Sequence, residues 1–209
     1  MYEPVSHAML NRILDQVRPE LKQPGLRFFF TRLGANFYAI HSLFRRIYGA
    51  REDEEEHLLR LVETLVTRYI ERSDALKLVD HEREQDPSWF LHQRWVGMAL
   101  YTTAFAGSLN GLRRHVPYLQ ELGVNLVHVM PILKCPPGAS DGGYSVSDFR
   151  DVDERVGDLE QLGALEAAMR DSDMLLTLDV VVNHTSDQHP WARRARAGEA
   201  RFQDYYHVF

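Results

Sequence analysis

A single cysteine, Cys135, in 209 residues excludes an internal disulfide framework and any multi-cysteine metal site. Long apolar runs are missing too: none approaches the ~20 residues a membrane helix needs. Positive charge is in deficit. Residues 1–90 hold 13 Lys and Arg against 15 Asp and Glu, residues 91–209 hold 11 against 15, and the net charge is −6. Neither half is the basic surface on which nucleic-acid binding rests. There is no internal repeat and no low-complexity tract. Met1-Tyr2-Glu3-Pro4 has neither the basic flank nor the apolar core of a secretion signal. These absences predict a cytoplasmic chain with no membrane or nucleic-acid partner. What is present is globular in character. At 44% hydrophobic and 26% charged residues, wholesale disorder is excluded, and the length suits one large domain or two small ones.

The first 85 residues read as helices. Leu10, Ile13, Leu14 and Val17 fall at helical spacing, with Ser6 before them as a candidate N-cap. Pro19 stops that pattern and Gln23-Pro24-Gly25 makes a turn. Phe29, Leu33, Phe37, Ile40, Phe44 and Ile47 predict a long amphipathic helix that Gly49 can end. The acidic run Glu52 to Glu56 suits a first helical turn, where carboxylates favour the helix dipole. Leu58, Leu61, Val62, Leu65 and Tyr69 continue that helix, and Ser73 can cap a further short one. Asp86-Pro87-Ser88-Trp89 marks the boundary of this unit.

After it the rhythm becomes strand, helix, strand. Met98 to Phe105 is rich in strand formers. Leu109 to Leu122 predicts a helix closed by Gly123, and Val124 to Met130 a short apolar strand. A Gly- and Pro-bearing loop spans Cys135 to Tyr144. Asp158 and Gln161 resemble a capping box. Met174 to Val182 is a nearly continuous apolar run, with Asp179 inside it, of the kind found in parallel strands buried on both faces. Such alternation means βαβ units, hence an open doubly wound sheet or the start of a (β/α)8 barrel. Gly107 and Gly111 do not space as a dinucleotide fingerprint, which favours the barrel.

Both architectures bind ligands at the C-terminal ends of parallel strands, and two polar clusters lie there. Asp141-Gly142-Gly143-Tyr144 brings a carboxylate and a ring together. The carboxylate can accept two sugar hydroxyls and the ring can stack on a pyranose, although a plain Asp-Gly turn with a packed tyrosine has the same spacing. In the second cluster, Asp179 to Thr185, burial of Asp179 demands partners. Asn183 and His184 emerge at the strand end, where His184 can donate to a substrate hydroxyl or a developing charge, or, alternatively, both merely end the strand by bonding loop backbone. His184 and His189 suggest no third metal ligand, Cys135 has no nucleophile signature, and Arg193, Arg194 and Arg196 suit a solvated helix face.

In this order, the two clusters resemble the α-amylase superfamily, glycoside hydrolase family 13. Asp141 to Tyr144, followed by Asp151-Val152-Asp153 and Gly157, looks like its loop after the second barrel strand. Asp179 to His184 looks like its first signature region, at the end of the third. Within the superfamily the closer resemblance is to the amylosucrases, over essentially the whole chain. The Phe28 to Tyr48 helix and the Arg83 to Trp89 stretch are similar to their helical N-terminal domain, and Phe105 to Leu112 to their first strand and helix. Lys134-Cys135-Pro136, and Asn183 to Ser186 with His189-Pro190-Trp191, are similar as well. Thr102-Thr103-Ala104 and Ser108 depart from the pattern, which is usually more acidic there.

The resemblance implies an α/β fold: a helical domain over 1–90, the first three or so βα units of a (β/α)8 barrel over 91–184, and the start of the loop domain after strand 3 over 185–209. It implies retaining transfer of glucosyl from sucrose to an α-1,4-glucan acceptor such as glycogen, with release of fructose. Asp141 and His184 would hydrogen-bond the glucosyl ring, and Tyr144 would stack on it. Asp179 would be structural, bonding polar side chains of the neighbouring strand. The residue matching Asn183 ligates calcium in some relatives, but amylosucrases do not generally need it, so Asn183 is expected to be structural, with no metal and no cofactor. The nucleophile Asp and acid/base Glu follow the fourth and fifth strands in this family. The chain is therefore expected to be an N-terminal fragment, inactive alone for want of the covalent nucleophile. A sucrose hydrolase or other α-glucosyl-transferring relative is the close alternative. A non-catalytic truncated interaction module, which would need a partner or oligomer, is the distant one.

Overall fold

The computed structural model describes residues 4–49 and 51–207. Met1-Tyr2-Glu3 and the terminal Phe209 used in the reading above lie outside them. The chain divides into two compact units, 1–87 and 88–209.

Among the described residues the first unit holds four α-helices: α1 (Pro4–Gln16), α2 (Arg27–Tyr48), α3 (Glu54–Glu71) and α4 (Asp74–Gln85). Ile13, Phe37, Leu58, Val62 and Val66 are fully buried between the first three. Their recurrence every three to four residues is the stripe that forces α1, α2 and α3 together. Gly49 ends α2 at φ +72°, a left-handed conformation that glycine adopts without a Cβ clash. Glu54, Glu55 and Glu56 occupy the first turn of α3. Ser73 caps α4, its hydroxyl accepting from the Leu76 amide at 3.4 Å.

Ser6 is not an N-cap. It lies inside α1, which starts at Pro4, and it is buried. Its Oγ is 2.8 Å from Nδ1 of His41. The other ring nitrogen of His41 is 3.0 Å from Glu54 Oε1, which Arg45 Nε approaches at 3.4 Å. A partner 35 positions away in sequence has taken the hydroxyl that local spacing assigns to capping.

The second unit is built on a parallel sheet in the order β1-β2-β5, from β1 (Gly97–Leu100), β2 (Leu126–Val129) and β5 (Leu175–Leu178). Between them run the short α5 (Thr102–Phe105), then α6 (Leu109–Arg114), α7 (Val116–Glu121) and α8 (Leu159–Asp171). This is the arrangement of part of a (β/α)8 barrel. Val127 and Val129 point to the helix side and are fully buried against Leu109, Leu112, Leu119 and Leu165. Residues alternate across a strand, so His128 faces the opposite side of the sheet, in register with Ala99 and Thr177. Asp158 caps α8: its carboxylate accepts from the Gln161 amide at 2.8 Å and from the Gln161 side-chain amide at 3.1 Å, so both bonds run to the aspartate and the likeness to a capping box is partial.

Three expectations are corrected. The strand predicted over Met98 to Phe105 stops at Leu100. β2 ends at Val129, so no ladder remains to extend, and Thr102–Phe105 coils into a helical turn. The helix predicted over Leu109 to Leu122 is broken at His115, because Pro117 has no N–H to continue the ladder. Asp179 lies just beyond β5 rather than inside the strand, since the β2 pairing ends at Leu178. In addition, β3 (Leu133–Lys134) and β4 (Asp148–Val152) pair as an antiparallel hairpin around the second-strand loop. The chain closes with α9 (Pro190–Arg196) and α10 (Ala200–Gln203).

Candidate functional site

The site forms where the C-terminal ends of β1, β2 and β5 meet the loop carried by the β3–β4 hairpin. The hairpin anchors that loop through Asp153. Arg155 Nε and Nη2 lie 2.7 and 2.8 Å from its carboxylate oxygens, and the Cys135 amide donates to it at 3.4 Å. The Arg155 guanidinium holds the Asp153 carboxyl below its usual range. Burial, followed by the Asp153 charge, pushes the Cys135 thiol upward.

The loop doubles back at Asp141-Gly142-Gly143. Asp141 takes φ +46°, unusual outside glycine, and Gly143 takes φ +97°. A Cβ on Gly143 would stand 2.7 Å from the Pro131 carbonyl oxygen, so no larger residue fits there. The turn exposes the Asp141 carboxylate, which takes no hydrogen bond or ion pair from any described residue. It also carries Tyr144 inward. Tyr101, at the end of β1, closes the same spot, its hydroxyl 3.6 Å from where a Cβ on Gly142 would be.

Asp179 is the polar hub. Tyr144 Oη donates to Asp179 Oδ2 at 3.0 Å, and His128 Nε2 lies 2.8 Å from Asp179 Oδ1. Burial first, then the hydrogen bond and charge of Asp179, push the Tyr144 phenol above its ordinary pKa. His184 Nε2 donates to the Tyr144 carbonyl at 3.0 Å, and Asn183 Nδ2 lies 2.8 Å from His184 Nδ1. A nitrogen that donates to a carbonyl carries the proton, so the neutral ring must accept from Asn183 through Nδ1. Both ring nitrogens of His184 are thus bonded within the protein.

Asp141, Tyr144, Asp179, Asn183 and His184, the residues singled out from the sequence, therefore converge at one end of the sheet. Tyr144, Asp179, Asn183 and His184 form a continuous hydrogen-bonded chain, while Asp141 stands free beside it. Two neighbours, Tyr101 and His128, were not singled out. His128 carried the same signal as Asp179, a polar residue in a short apolar strand. Tyr101 carried none, because its place is set by the folding back of the second-strand loop. Beneath Gly142 a cavity of about 120 Å³ is lined by Tyr101, Thr102, Ser140, Asp153 and Arg155. The buried Thr102 hydroxyl on its wall has no hydrogen-bond partner among the described residues.

His189 caps α9, its Nδ1 accepting from the Trp191 amide at 3.1 Å, and burial lowers its pKa. Trp191 stacks on Tyr205 with ring centroids 4.8 Å apart. Arg194 and Arg196 pair with Glu199 and Asp187. Among the described residues no three His, Cys, Asp or Glu side chains converge as a metal site would require, and no helix is long and apolar enough to cross a membrane.

Comparison with known proteins places the chain in a family. Maltase 1 of Drosophila virilis is 30% identical over 168 residues, 77% of this chain and 26% of the relative. An alpha-glucosidase of Schizosaccharomyces pombe is 41% identical over 101 residues, 48% of this chain and 17% of the relative. A mutant isomaltulose synthase from Erwinia rhapontici, solved with its natural substrate sucrose, aligns at TM-score 0.50 and 30% identity over 55% of this chain and 22% of its own. The chain thus spans about a quarter or less of these relatives. Residues 67–209 match the alpha-amylase catalytic domain, and the chain belongs to that family, glycoside hydrolase family 13.

Proposed function

We propose that this chain contributes the glucosyl-recognition corner of an enzyme that transfers glucosyl from sucrose to an α-1,4-glucan, releasing fructose. The observation that carries the reading is the arrangement around Tyr144. Its hydroxyl is held by Asp179 at 3.0 Å, and in this reading the ring offers a face to a pyranose. The unpaired Asp141 carboxylate stands beside it to accept sugar hydroxyls. His184 sits on the far side of the Tyr144 backbone. In this reading an entering sugar hydroxyl competes with the Tyr144 carbonyl for the Nε2 proton of His184, so sugar binding exchanges one internal hydrogen bond for one to ligand. Asp179 and Asn183 hold the frame. We assign no nucleophile or acid/base within this chain. Double displacement needs two carboxyl groups ~5 Å apart across the bond, and the resemblance places that pair after the fourth and fifth strands of the barrel.

A second reading, an α-glucosidase or sucrose-isomerising enzyme on the same corner, is favoured by the relatives, which include glucosidases and an isomaltulose synthase. Product analysis separates the two. The full-length gene product is incubated with sucrose, with and without glycogen. Fructose with lengthening glucan supports the transferase. Equal glucose and fructose, or a rearranged disaccharide, supports the second reading and overturns the first.

A further inference from the structure

The carboxylate of Asp179 has two oxygens and one donor on each: Tyr144 Oη at 3.0 Å and His128 Nε2 at 2.8 Å. An ionised carboxylate only accepts, so both neighbours must donate and His128 carries its proton on Nε2. His128 and Asp179 come from different strand ends. His128 faces Thr177 in register, and Asp179 is two residues beyond Thr177, on the same face one step nearer the C-terminal end. The imidazole therefore reaches up one layer to grip the carboxylate from below, while the tyrosine grips it from the side. The side chains of His128 and Asp179 are about one-third and one-quarter exposed. In that partly water-shielded place, a carboxylate with one donor missing turns to find another. Tyr144 would lose its anchor with it, because among the described residues its hydroxyl bonds to nothing else.

We propose that His128 is a positioning residue of the sugar site, setting the tilt of the Tyr144 ring through Asp179 without touching the sugar. This rests on the reading of Tyr144 as a sugar platform for its consequence, though not for its geometry. Its reach extends one step further, since the Tyr144 carbonyl also holds His184 at 3.0 Å. A displaced Tyr144 therefore also disturbs the histidine beside it.

The test uses the chain labelled with carbon-13 tyrosine, the Tyr144 ring signal being assigned with Tyr144→Phe. His128→Leu, which removes the donor, is expected to move that signal toward its position in Asp179→Asn. His128→Gln, whose amide reaches the same oxygen, is expected to leave it in place. Glucose affinity, measured on the same samples, is expected to fall roughly tenfold in His128→Leu, a loss of one hydrogen bond's size, and to stay within about twofold in His128→Gln. His128→Asn, too short to reach Asp179, stands in if His128→Leu fails to fold. A Tyr144 signal unmoved by loss of the donor, or moved equally by Gln, overturns the proposal whatever the sugar does. A signal that moves as expected in a chain that binds no glucose upholds the positioning role and overturns the sugar reading instead.

Discussion

Tyr144 and Asp179 lie 35 positions apart in sequence and meet through a 3.0 Å hydrogen bond. The bond ties the loop after the second parallel strand to the end of the third. The phenol donates, so the hydroxyl end of the ring is fixed to the sheet.

If the face is what the ligand uses, the ring matters more than the hydroxyl. Tyr144→Ala is expected to weaken glucose binding about a hundredfold, and Tyr144→Phe, which keeps the face but loses the anchor to Asp179, about tenfold. Titration calorimetry checks both. Equal losses in the two variants would show that the hydroxyl, not the stacking face, carries recognition.

Gly143 cannot be replaced cheaply. It has φ +97°, and an added Cβ would press on the Pro131 carbonyl at 2.7 Å. Gly143→Ala is expected to cost about 1–3 kcal/mol, the usual range for a strained backbone position, read as a shift in denaturation midpoint. An unchanged midpoint would mean the turn does not have this shape.

The Thr102 hydroxyl is buried without a partner. Replacing a polar group that makes no bond by an apolar one of the same shape is near neutral or stabilising. Thr102→Val is therefore expected to leave stability within about 1 kcal/mol or raise it. A clear loss would show that the hydroxyl is bonded in solution.

Asp153 gives the second unit an acid limit. Its folded-state pKa is depressed by Arg155, below an unfolded value of about 3.9. The stability it contributes is therefore present above that value and lost as pH falls through the folded one. Arg155→Met is expected to move the onset of acid unfolding to higher pH, as followed by circular dichroism. A superimposable acid transition in the variant would contradict the coupling.

In the helical unit, Ser6→Ala leaves Nδ1 of the buried His41 without its partner at 2.8 Å. A stranded buried group costs about 1–3 kcal/mol, and loss of stability confined to this unit is expected in hydrogen exchange. Uniform protection would argue that His41 finds another partner.

These cases also show which features sequence alone carried. Features set by neighbours along the chain were legible: Gly49 ending α2, Ser73 capping α4, and Asp158 capping α8 through Gln161. The apolar stripes that build both cores were legible for the same reason, since periodicity and burial are one fact. Features set by distant partners were not. Ser6 reads as a cap but bonds His41, and Thr102 reads as strand but has no strand beside it. The break at His115 was legible in Pro117 and overlooked, because the apolar spacing of Leu112, Val116 and Leu119 continues through it. At the site, Asp141, Tyr144, Asp179, Asn183 and His184 stood out as polar residues at strand ends. The joining of Tyr144, Asp179, Asn183 and His184 into one hydrogen-bonded chain, with His128 beneath, depends on the β2–β5 register, which no local pattern encodes.

Asp141 is the residue on which the proposed recognition of a glucosyl unit by this corner rests. The direct measurement is sucrose consumption by the full-length gene product, wild type against Asp141→Asn. Turnover by the wild type is expected, with a rate at least about 100-fold lower in the variant, the scale of losing charged hydrogen bonds to the reacting sugar, and thermal stability unchanged. A variant that consumes sucrose at the wild-type rate would contradict that role.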